Sequence, residues 1–207
     1  MPSRDLPLKY TLSYVIGEVV RNDVFAETEM RLLWRELSAV LSPGDEMQRE
    51  MGRLIKQVRS LLNRGEVPAA FRDIGRAVLD EAAAAHRLRN VFIHDQWLHL
   101  PAFRPGSIRS LRRTNENRAD GRFGDVALAD FERCADELKR SAWRLRGLWI
   151  TAPYWLGQEP DWTSTDDELD SWTRVAMGHI ADDPEMTRGT PGPAPQPLGG
   201  WGGLDRG

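Results

Sequence analysis

The sequence predicts an all-α protein: an antiparallel, up-and-down four-helix bundle with a long loop between the third and fourth helices, a short extra C-terminal helix and a disordered tail. Three observations carry this. No proline falls between Pro7 and Pro43, Pro43 and Pro68, Pro68 and Pro101, or Pro105 and Pro153. Proline breaks helix interiors, so each gap is room for a long helix. Within the gaps apolar residues recur at helical spacing, and nothing alternates at the period of two that marks a strand.

The first gap predicts a helix from Tyr10 to Leu41, with Val15, Val19, Phe25, Leu32, Leu33, Leu37 and Val40 near helical spacing. Leu41-Ser42-Pro43-Gly44-Asp45 ends it and starts a second helix. There Met47, Met51, Leu54, Ile55, Val58, Leu61 and Leu62 form one amphipathic face, closed by Asn63-Arg64-Gly65. Pro68 suits the first turn of a third helix, running through Phe71, Ile74, Val78, Ala82, Ala85, Leu88, Val91 and Phe92 to near Leu98. Residues 99–126 hold three glycines and few large apolar residues, which predicts a long loop with room for a short hairpin around Ile108 and Leu111. A fourth helix starts near Leu128 and stops at Pro153, with Phe131, Ala135, Leu138, Ala142, Leu145, Leu148 and Trp149 on its apolar face. Thr163-Ser164-Thr165 before Asp166-Asp167-Glu168 resembles an N-cap with an acidic first turn, launching a short helix through Leu169, Trp172, Val175, Ala176 and Ile180. The expected division is a helical body over 1–158, an acidic linker and short helix over 159–181, and a Gly/Pro-rich tail over 182–207 that cannot support a core.

A chain of 207 residues suits one domain with an appended segment. Cys134 is the single cysteine, which excludes an intramolecular disulfide and a cysteine-based zinc site and fits a reducing cytosol. No apolar run reaches about 18 residues and no signal-peptide core precedes Lys9, so a cytoplasmic protein without a membrane span is expected. The net charge of -3 conceals a split, with residues 1–158 at +4 and residues 159–207 at -7. That excludes a uniformly basic nucleic-acid coat but leaves room for a local basic face. Residues 104–122 supply one, with Arg104, Arg109, Arg112, Arg113, Arg118 and Arg122 against Glu116 and Asp120. Such a patch binds phosphate in a salt-dependent way.

Several chemistries are absent. There is no Gly-rich phosphate loop, no His-Glu-x-x-His and no Gly-x-Ser-x-Gly. None of the four histidines has a Glu three residues before it, which excludes a di-iron bundle. His94-Asp95 lacks the earlier-helix histidine of HD-type metal phosphohydrolases, because none precedes His86. Neither metal nor cofactor is expected. What remains is His86-Arg87-Leu88-Arg89-Asn90-Val91-Phe92-Ile93-His94-Asp95 on the third helix. At about 100° per residue, Ala84, Ala85, Val91 and Phe92 gather around Leu88 as the buried stripe, and His86, Asn90, His94 and Trp97 fall on the opposite, exposed face, with Arg89 on the flank. A histidine exchanges protons near neutral pH, and an arginine holds a phosphate and offsets its developing charge. RNA brings its own nucleophile, the 2′-hydroxyl.

Arg89-Asn90-Val91-Phe92-Ile93-His94, late on the third long helix and followed by Trp97, resembles the Arg-x(4–6)-His motif of HEPN domains (higher eukaryotes and prokaryotes nucleotide-binding). Residues from about 10 to 150 fit that pattern. The resemblance implies a metal-independent RNA endonuclease, or an inactive RNA-binding relative, of toxin–antitoxin or anti-phage type. It implies a homodimer in which two motifs share a cleft, RNA as substrate, and an antitoxin or regulator protein as partner. Carried across, Arg89 and His94 are catalytic, Asn90 orients or binds, and the products are a 2′,3′-cyclic phosphate and a 5′-hydroxyl. The alternative is a catalytically inactive helical RNA-binding or protein-interaction module.

Overall fold

A computed structural model describes residues 8–94, 96–98, 107–113, 119–158 and 165–179. The elements run α1 (Leu8–Leu41), α2 (Met51–Leu62), α3 (Ala69–His94), β1 (Gln96–Leu98), β2 (Ser107–Arg113), β3 (Ala119–Ala127), α4 (Leu128–Trp155) and α5 (Asp166–Ala176). The body is helical, as expected.

Seven-residue rows build it. On α1, Val19, Ala26 and Leu33 form one buried row, and Met30 and Leu37 end another. On α3, Phe71, Val78, Ala85 and Phe92 repeat the same interval. Such rows lay one stripe of each helix against its neighbours. Two core clusters result. The larger joins Met30, Leu33 and Leu37 to Leu54, Val58, Leu79, Leu145 and Leu148. The smaller joins Val15 and Val19 to Ala85, Phe92, Phe131, Cys134, Ala135 and Leu138.

The helix directions differ from the up-and-down expectation. Asn22 meets Ala135 and Glu29 meets Arg146 and Trp149, so α1 and α4 run the same way. Arg59 pairs with Asp80 and Arg76 with Asn63, so α3 runs against α2. The second helix does not turn back on the first. Residues 42–50 do so instead, reversing at Gly44, whose φ of 96° is the left-handed conformation glycine accepts. Arg31 donates to the Arg49 carbonyl at 2.9 Å, and Arg64 reaches the Leu41 carbonyl and, at 3.0 Å, Ser42 Oγ. α2 therefore rises alongside α1. This is why α2 starts at Met51 rather than near Met47, which lies in the connector and is exposed.

Between α3 and α4 the expected long loop is in large part a sheet, of order β1-β2-β3. α3 ends at His94, short of Leu98, because Gln96–Leu98 pairs with β2 in the register Leu98↔Arg109 and Gln96↔Leu111. β2 contains Ile108 and Leu111, as the expected hairpin did, and pairs with β3 through Ile108↔Val126, with a register irregularity between Leu111 and Arg113. Period-two alternation is weak over Ser107–Arg113 and Ala119–Ala127, so the sequence carries little strand signal there.

α4 continues two residues past Pro153, where the sequence predicts its stop. α5 carries the expected capping box: Glu168 N donates to Thr165 Oγ1 at 3.3 Å and Thr165 N to Glu168 Oε2 at 2.9 Å. It stops at Ala176, and Gly178 turns the chain with a φ of 94°. It lies against α4, where Arg144 Nε donates to the Ala176 carbonyl at 2.9 Å and Arg144 also pairs with Glu81 of α3. Gly147 permits this approach, since a Cβ there would stand 2.6 Å from the Trp172 carbonyl oxygen and 2.8 Å from Ala176 N. The tail over 182–207 lies outside the described residues. No described helix is long and apolar enough to cross a membrane.

A Gly147→Ala variant should displace α5, because both obstructing atoms are backbone. Thermal unfolding should show a loss of about 1–3 kcal/mol, and limited proteolysis should cut within Asp166–Ala176 faster than in the wild type.

Candidate functional site

Arg89, the first residue of the motif, and His86, three residues before it, meet at a buried carboxylate. Asp23, on α1, is 7% exposed. Its Oδ2 lies 2.8 Å from Arg89 Nε, an ion pair without in-line hydrogen-bond geometry. Its Oδ1 lies 3.4 Å from His86 Nδ1. Arg89 Nη1 in turn donates to Asn90 Oδ1 at 3.0 Å. Both His86 and Arg89 keep 21% of their side-chain surface exposed, so one edge of the cluster is open.

Helix phase explains the grouping. On α1, Asp23 stands one heptad before Met30 and two before Leu37, inside a buried row. On α3, Arg89 continues the buried row of Gly75 and Ala82, and His86 that of Leu79. The two helices thus present opposite charges where their stripes cross. The stripe on α3 is centred differently from the sequence expectation: Ala85 and Phe92 are buried, Ala84 and Val91 are exposed. His86 faces Asp23 instead of solvent, and Arg89 is drawn in from the flank. Desolvation explains why the partner is an acid: a buried guanidinium without a counter-charge is costly.

His94 closes α3, five residues beyond Arg89. Its side chain lies outside the described residues. Trp97 falls in β1, not on α3. Of the basic residues, Arg109, Arg112 and Arg113 lie on β2, and the Leu98↔Arg109 register brings that strand beside the segment leaving α3. Arg104 lies outside the described residues. Asp23 was not legible from the motif spacing; its signal is a carboxylate standing in an otherwise apolar heptad row. Asn22 and Glu29, also buried, share a row with Val15. Asn22 Nδ2 donates to the Ala135 carbonyl at 2.9 Å. Glu29 accepts from Arg146 Nη2 at 2.7 Å and from Trp149 Nε1 at 2.5 Å.

Cys134, buried among Phe131 and Leu138, borders the cluster. Burial pushes its thiol from 9.0 up to about 12, Glu137 and Asp23 add to the shift, and Arg89 and Arg133 oppose it. It is packing, not a nucleophile. Among the described residues no group of three or more His, Cys, Asp or Glu side chains could hold a metal ion.

Comparison of the chain with protein-family models, with curated proteins and with solved structures gives no match.

The Cys134 shift has a sign. The folded state holds the thiol proton more tightly than the unfolded chain, so this contribution is complete below about pH 9 and is lost as pH rises towards 12. A disulfide thiol reagent at pH 8 should leave the native protein unlabelled over the time in which denatured protein reacts fully. Rapid native labelling would contradict the burial.

Proposed function

We propose that the chain is a HEPN-like, metal-independent RNA endonuclease, working as a homodimer in which Arg89 and His94 of each copy contribute to a shared cleft. One observation carries the reading: Arg89, the first residue of the motif, is held in place by Asp23 and Asn90 with one edge open to solvent. A guanidinium fixed in this way is pre-organised for a phosphodiester, and needs little reorganisation as charge develops on the phosphoryl oxygens. β2, which pairs with the segment leaving α3, carries Arg109, Arg112 and Arg113 in sequence, a positive stretch suited to the RNA backbone. His94 then moves the proton, Asn90 orients Arg89, and attack by the 2′-hydroxyl leaves a 2′,3′-cyclic phosphate and a 5′-hydroxyl. An antitoxin or regulator protein would be the expected partner of such an activity.

A second reading has its own observation. Asp23 neutralises much of the charge on Arg89, as befits a non-catalytic module that binds RNA or protein. It predicts salt-sensitive RNA binding without product.

Purified protein incubated with RNA in EDTA should yield 2′,3′-cyclic phosphate ends. Arg89→Ala and His94→Ala should each lower cleavage by about 10²-fold or more. Cleavage unchanged in both variants would overturn the assignment, and binding with no cyclic ends in the wild type would favour the second reading.

A further inference from the structure

We propose that His86, oriented by Asp23, is a further proton-transfer residue, acting on a ribonucleotide phosphodiester held by Arg89. This rests on the ribonuclease reading of the same site but assigns a residue outside the Arg89–His94 motif.

Asp23 is too buried for water to solvate it, and its two oxygens face two different groups, Arg89 Nε at 2.8 Å and His86 Nδ1 at 3.4 Å. A carboxylate at Nδ1 favours the tautomer that carries its hydrogen there, leaving Nε2 as the proton acceptor. Spacing then selects which imidazole stands beside the guanidinium. His86, Arg89 and Asn90 are related as i, i+3 and i+4, one turn on one face. His94 lies eight residues along from His86, about 12 Å of helix rise. Within one chain, therefore, the imidazole anchored to the same acid as Arg89 is His86.

The step balances without another reactant. Neutral His86 Nε2 takes the proton of the 2′-hydroxyl as the O2′–P bond forms. The P–O5′ bond breaks as protonated His94 of the shared cleft gives its proton to O5′, and the two imidazoles exchange protons through water before the next turnover. Arg89 offsets the charge on the non-bridging oxygens. Asp23 keeps its charge throughout and acts as a positioning residue.

The test uses the full chain with a ribonucleotide dimer such as UpA in EDTA. His86→Ala should lower kcat by about 10²-fold with little change in KM, and added imidazole should restore part of kcat in proportion to its concentration. His86→Gln, which keeps the side chain's bulk, should show the same fall in kcat with a wild-type circular dichroism spectrum. Asp23→Asn should lower kcat by a smaller factor in the His86→Ala background than in the wild type, because part of its effect runs through the imidazole and the rest through Arg89. Wild-type kcat in either His86 variant, or a loss that imidazole does not restore, would overturn the proposal and leave the ribonuclease reading standing. A wild-type chain that yields no cyclic phosphate would overturn both.

Discussion

A carboxylate in the wrong place for an apolar stripe constrains the rest of this molecule. Asp23 occupies a position that the α1 rows otherwise give to Met30 and Leu37, and it is removed from water almost as fully as they are. Burying an isolated carboxylate is far more costly than any single apolar contact is favourable. The helix packed against it must bring a cation and polar partners. α3 supplies Arg89 and His86 from rows that elsewhere hold Gly75, Ala82 and Leu79. That requirement fixes the rotation of α3 about its axis, and with it the direction in which Asn90 projects.

The same logic recurs further along α1. Glu29, 1% exposed, is met by Arg146 and Trp149 of α4, and the Arg146 guanidinium lies 5.0 Å from the Phe25 ring centre. Asn22 reaches the Ala135 carbonyl. These polar pairs fall on α1 between the stretch that feeds the small core cluster and the stretch that feeds the large one. Apolar rows alone would tolerate a slide of one turn between α1 and α4. A slide that separated Glu29 from Arg146 would leave a buried charge unmatched, so the pairs select one register. α5 follows from this arrangement, since Arg144, placed by α4, bonds its last carbonyl while pairing with Glu81.

The helices were legible because proline spacing and heptad rows are local signals. All five start or end within a few residues of where caps and prolines put them, and the Thr165–Glu168 capping box could be read directly. Helix direction was not legible: a connector of residues 42–50 can turn back or run alongside, and long-range contacts such as those of Arg31, Gln57 and Arg64 with it decide the matter. The sheet was hidden because Ser107–Arg113 and Ala119–Ala127 lack the alternation that a buried face imposes. At the site, Arg89, Asn90 and His94 were visible as a motif. Asp23 was not, because it lies 66 residues away in sequence and a motif search does not ask which residue neutralises an arginine. His86 is visible in the sequence, but a stripe centred on Leu88 turns it towards solvent, whereas the packed stripe runs through Ala85 and Phe92 and turns it towards Asp23.

The central claim is that Asp23 and Arg89 are energetically coupled across α1 and α3. A double-mutant cycle with Asp23→Asn, Arg89→Gln and the combined variant, followed by urea unfolding, measures that coupling directly. Each single variant strands a partner in the helix interface, so the account predicts that the double variant is less destabilised than the sum of the singles, with a coupling of about 1–3 kcal/mol. Additive losses within about 0.3–0.5 kcal/mol would contradict it, and with it the idea that this pair sets the phase of α3.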